Sequence, residues 1–210
     1  MAARAVRRKR YDAPVTPSDR NLTRLAAPAA FAAWLVSAVR VVAQVTAFQE
    51  LYNPNYPRSV LPFAEYWSLA LVEAAALATV VVGTDGFLRP RGRVLMSGLV
   101  AGLVSAVMLA AGAVAAIALQ TESRWGSDLA DFASVPLGVW MLCVVAADWR
   151  LRRLPQWLRL VGAVLGAVLM VLPALTQLRA ALVIAVAWWI GLGVTLLRAE
   201  RAHGARSTSG

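Results

Sequence analysis

The sequence predicts an all-α, polytopic integral membrane protein with six transmembrane helices and both termini in the cytoplasm. Three observations carry that prediction. Of 210 residues, 60% are hydrophobic and only 15% charged, well outside the usual globular mix. Apolar runs of roughly twenty residues recur along the chain, the length a helix needs to cross a hydrocarbon core of about 30 Å. The basic residues outside these runs fall almost entirely in alternate connections.

Residues 1–24 form a basic cytoplasmic segment, opening with "ARAVRRKR" (Ala3 to Arg10). The apolar run behind this segment is of span length, so the N-terminus reads as retained rather than as a cleaved signal. Thr16, Pro17 and Asp19 supply a capping residue, a proline at the first helical position and an early acid, which predicts a short interfacial helix leading into the first span.

The transmembrane domain covers 25–197. Its expected spans run from Leu25 to Phe48, Pro62 to Val82, Val94 to Leu119 and Ser127 to Ala147. The next apolar stretch, Trp157 to Leu197, is twice the length of one crossing and divides into two helices at Pro173 and "LTQLRA". "VGTDGF" reads as a turn after the second span, Asp148 and Trp149 mark the inner end of the fourth, and Pro155 opens the fifth. Residues 198–210 form a polar cytoplasmic tail.

Seven basic residues precede Leu25; three follow Val82, three follow Ala147 and three lie in the tail. The opposite side carries only Arg58, Arg124 and Arg179. By the positive-inside rule the first four segments are cytoplasmic. Twenty arginines against one lysine point to a high-GC bacterial genome, and hence to a multi-pass protein of a bacterial inner membrane.

A formal charge of +10 raises the question of nucleic acid. Because the charge follows membrane topology, the expected partner of the N-terminus is instead the anionic lipid of the cytoplasmic leaflet, with no nucleic acid bound. One cysteine, Cys143, and one histidine, His203 in the tail, exclude a disulfide framework, a thiolate metal cluster and bis-histidine haem ligation. No nucleophile elbow, metalloprotease motif or phosphate loop is present. No metal or cofactor is expected, and the chain reads as non-enzymatic.

The residues that demand an account are charges inside apolar runs, where an ionised side chain costs roughly 2.5 to 3.5 kcal/mol or more. Glu73 lies near the middle of the second span and Arg40 deep in the first. If the two spans are antiparallel neighbours, the pair differs in depth by about 5 Å, at about 1.5 Å per residue, and their side chains meet. Gln44, one turn from Arg40, is a further hydrogen-bonding group. Nearer the outer surface, Glu65, Asp128 and Asp131 could line a polar vestibule beside a helix kinked at Pro136, or simply reach interfacial water.

Glycine pairs Gly98/Gly102 and Gly162/Gly166 have the spacing that lets helix backbones approach. Trp188 and Trp189 read as lipid-facing or packing residues rather than a ligand cage. The leading expectation is an accessory or structural subunit that packs with other membrane proteins or lipids, its Arg40–Glu73 pair a structural staple. The alternative is a small proton- or ion-coupled transporter using Glu73, Arg40 and Asp131. A third reading is a protein with a lipid or quinone site.

Overall fold

The computed structural model describes residues 17–52, 63–88, 92–119, 129, 131–171 and 188–199. Regular structure among them is entirely helical: α1 Pro17–Tyr52, α2 Phe63–Phe87, α3 Arg93–Leu119, α4 Ser134–Leu151 and α5 Gln156–Val171. A last helical stretch, α6, covers 188–199. Among the described residues three helices are long and apolar enough to cross a membrane: α2 from Glu65 to Phe87, α3 and α4. At 18 residues α4 is the shortest of them, about 27 Å long at 1.5 Å per residue.

Several boundaries depart from the expectation. Pro17 opens α1, but no break separates an interfacial helix from the first span; the helix runs on for 36 residues, past an internal Pro28. α2 continues through "VGTDGF", and the amide of Leu88 still bonds the Thr84 carbonyl at 3.0 Å. Thr84 and Asp85 are buried, so tertiary packing overrides the turn preference of the glycines and aspartate. The expected division at Pro173 and "LTQLRA" lies outside the described residues, as do the N-terminal basic cluster and residues 200–210 of the polar tail.

Contacts give the register. α1 packs on α2, α2 on α3, α3 on α4 and α4 on α5. Gly98 faces Cys143 and Gly102 faces Trp140, while Ser105 bonds the carbonyl of Ala133, so α3 and α4 run antiparallel. Gly138 against Gly166 and Val145 against Gly162 make α4 and α5 antiparallel as well. Trp188 meets Leu158 and Gly162, while Gly191 meets Trp157 and Leu158, which lays α6 along α5. Gly193 of α6 approaches Ala30 and Phe31 of α1, so the last helix returns to the first.

Helices this apolar gain little hydrophobic energy by exchanging lipid for one another, so close approach and hydrogen bonds hold them. The four glycines of the two spaced pairs are all buried inside the bundle. A methyl group on Gly162 would sit 2.6 Å from the Trp188 indole nitrogen, and one on Gly102 equally close to Val81. These spacings therefore serve contacts within the chain. Trp140, Trp188 and Trp189 are buried together at its centre, with ring centroids 5.3 to 5.8 Å apart. The Trp188 indole donates to the Leu158 carbonyl at 3.1 Å, which satisfies its polar edge. They are packing residues and do not face lipid. Val100, Val104, Val107 and Val114 instead cover the exposed side of α3, an outer surface suited to acyl chains rather than water.

Candidate functional site

Ser37 and Arg40 are three residues apart on α1, and Tyr66 and Glu73 seven apart on α2, so each pair shares one helix face. The two faces meet. Arg40 Nη1 pairs with Glu73 Oε2, and the Ser37 hydroxyl donates to Glu73 Oε1 at 2.5 Å. Arg40 Nη2 donates to the Tyr66 hydroxyl at 3.3 Å. The guanidinium carbon also lies 4.8 Å from the Tyr66 ring centroid and 6.0 Å from that of Trp67, the geometry in which a cation is drawn to an aromatic face.

Both oxygens of Glu73 are thus engaged, and Arg40 is held by a carboxylate, a phenol and two rings. Exposure of the two charged side chains is 13% and 20%. Arg40 Nε makes no hydrogen bond among the described residues. A charge pair this shielded is attracted more strongly than it would be in water, but each member has lost hydration that its partners must replace.

Glu65, in the first turn of α2, and Asp131 are both exposed. Asp128 is outside the described residues, and of Gln44 only its place on α1 is described. Pro136 is the third residue of α4; the described residues 129 and 131–132 before it are helical, and the chain turns at Ala133 between them and α4. The missing proline amide would have served the carbonyl of Phe132, next to the turn at Ala133 that interrupts the helical path. Ser105 reaches across from α3 to the neighbouring Ala133 carbonyl at 2.7 Å and ties the turn to the bundle.

A second polar centre, at the end of α4, was not anticipated from sequence. Asp148 is fully buried. Its carboxylate accepts from the amide of Arg153 at 2.8 Å and from that of Leu154 at 3.2 Å, and Arg159 Nε lies 3.6 Å from Oδ2. A carboxylate in the last turn of a helix opposes the helix dipole. Here two amides and a guanidinium offset that penalty. Arg152 adopts the left-handed conformation at the C-cap, with φ 53° and ψ 36°, and its amide bonds the Asp148 carbonyl at 2.7 Å. Both the main chain and the side chain of Asp148 therefore fasten the turn into α5. Among the described residues no group of His, Cys, Asp and Glu side chains is placed to hold a metal ion.

Comparison of the chain with protein-family models, curated proteins and solved structures gives no match.

Proposed function

We propose that the chain is a six-span protein of a bacterial inner membrane, with both termini cytoplasmic, and that it is a non-enzymatic accessory or structural subunit packing with other membrane proteins or lipids. The observation that carries this reading is the closed polar cluster between α1 and α2. Glu73 has both oxygens occupied by Ser37 and Arg40, and Arg40 is further held by Tyr66. A network that occupies both carboxylate oxygens and joins two neighbouring helices serves as a staple. A coupling carboxylate, by contrast, must be released alternately to each side. The apolar outer side of α3 supports contact with acyl chains or with the helices of a partner.

The orientation is tested with single cysteines in a background where Cys143 is replaced. Gly92 has nothing within 4 Å of an added Cβ, so a reporter there perturbs little. A membrane-impermeant maleimide applied to intact cells is expected to label Thr121→Cys and to spare Gly92→Cys; the reverse pattern would overturn the topology.

The alternative, a proton- or ion-coupled transporter using Glu73, Arg40 and Asp131, makes the opposite prediction in liposomes. For an accessory subunit, neither the unmodified protein nor Glu73→Gln moves protons into sealed vesicles, and Glu73→Gln lowers stability. Proton uptake by the unmodified protein that disappears in Glu73→Gln, at equal incorporation, would establish the transporter reading instead.

A further inference from the structure

A cleft of about 460 Å³ opens at the arginine-rich end of the bundle, between the end of α2, the turn from α4 to α5 and the end of α6. Its volume is within the roughly 300 to 1,000 Å³ typical of small-molecule sites. Arg152, Arg153 and Arg198 line it together with Phe87, Pro155 and Thr195, and no carboxylate lines it among the described residues. We propose that this cleft binds a phosphate group, carried either by the headgroup of an anionic membrane lipid or by a soluble phosphate. The proposal is separate from the role given to the Arg40–Glu73 cluster.

Charge is the first argument. At this end Arg93, Arg150, Arg152, Arg153 and Arg198 are exposed, whereas the carboxylates of Asp85 and Asp148 are buried. Asp148 is committed to two turn amides and to Arg159, so it cannot neutralise the cleft. Neither Arg152 nor Arg198 has an ion-pair partner among the described residues. Arg153 is positioned by a hydrogen bond from its guanidinium to the Phe87 carbonyl and lies over the Phe87 ring, 5.8 Å from the centroid. That contact anchors it through uncharged partners.

Chemical fit is the second. Guanidinium groups present paired donors to the oxygens of a phosphate, and several around one opening select an anion with several acceptor oxygens. α5 begins at Gln156, directly after Pro155 in the cleft wall, so the positive end of a 16-residue helix adds to the same field. Trp149 and Trp157, exposed on either side of the turn, are the kind of residue that sits at headgroup depth. Basic pockets between helices at a membrane face are a recurrent means of holding lipid headgroups.

The full chain is placed in nanodiscs of phosphatidylcholine alone or with one-fifth phosphatidylglycerol. Inorganic phosphate is titrated separately into the neutral discs at constant ionic strength, and thermal midpoints are read. Arg152→Asn combined with Arg198→Gln removes two charges, asparagine being chosen because it tolerates the left-handed backbone. Arg7→Gln with Arg8→Gln controls for lipid attraction to the N-terminus.

The expected result is a raised midpoint with phosphatidylglycerol in the unmodified chain and in the N-terminal control, and loss of that shift in the Arg152/Arg198 variant. A shift with phosphatidylglycerol that phosphate does not reproduce assigns the lipid headgroup; a shift with phosphate in neutral discs assigns the soluble ion. Should the double variant not fold, Arg198→Gln alone is expected to weaken binding about tenfold, one charge-assisted contact of about 1.4 kcal/mol. The proposal is overturned if neither probe shifts the unmodified chain, or if the variants respond as it does.

Discussion

Arg40→Leu and Glu73→Leu are each expected to destabilise the protein by about 3 to 5 kcal/mol, and the double substitution to recover much of that loss. Among the described residues, removing Arg40 leaves the carboxylate with Ser37, and removing Glu73 leaves the guanidinium with the Tyr66 hydroxyl and two aromatic faces. In either case a shielded charge is left without its counter-ion. The double variant leaves no such charge, and two leucines suit the surrounding apolar helices. Recovery should be incomplete, because the contacts of Arg40 with Tyr66 and Trp67 are lost as well. Thermal melts in one detergent give the coupling energy of the cycle. Strictly additive losses would show that the two side chains do not stabilise one another.

Asp148→Ala is expected to cost about 3 kcal/mol or more, since hydrogen bonds to a charged acceptor contribute about 1.5 to 3 kcal/mol each. The substitution deprives the amides of Arg153 and Leu154 of their acceptor and leaves Arg159 without its carboxylate. Asp148→Asn should fall between, keeping one neutral acceptor but no charge. The adjoining arginines supply a second measurement. A loosened turn at Arg152 and Arg153 should be cut by trypsin faster in Asp148→Ala than in the unmodified protein. Melting and cleavage indistinguishable from the unmodified chain would show that the turn holds without the carboxylate.

Parts of this architecture were legible in sequence because they rest on length and rarity. α3 begins at Arg93, one residue from its expected start, and ends at Leu119 as expected, because a long uniform apolar run has a charged residue at one end and polar residues at the other. Arg40 and Glu73 stood out because charges inside such runs are few. Ser37 and Tyr66 did not, although their spacings of three and seven already placed them on the same faces. Serine is unremarkable in an apolar helix, and tyrosine has a ready explanation at an interface. The end of α2 departs from the expected turn because Thr84, Asp85 and Gly86 have the composition of a turn, while the burial of Thr84 and Asp85 keeps the stretch helical. The part played by Asp148 was illegible for a different reason. It depends on Arg152 taking a left-handed conformation, which a non-glycine residue does not advertise.

The return of α6 to α1 has a consequence for biogenesis. Ala26, Ala27 and Ala30 of α1 share one buried cluster with Leu192 and Leu196 of α6, and Gly193 abuts Phe31. The chain is made from its N-terminus, so α1 is complete long before α6 exists. Until α6 emerges, that alanine face has not met its partner. Packing α6 on α1 joins residues far apart in sequence and cannot precede the synthesis of α6. Correct closure of this bundle therefore rests on α6, and a lesion that removes α6 would leave the alanine face of α1 without its mate.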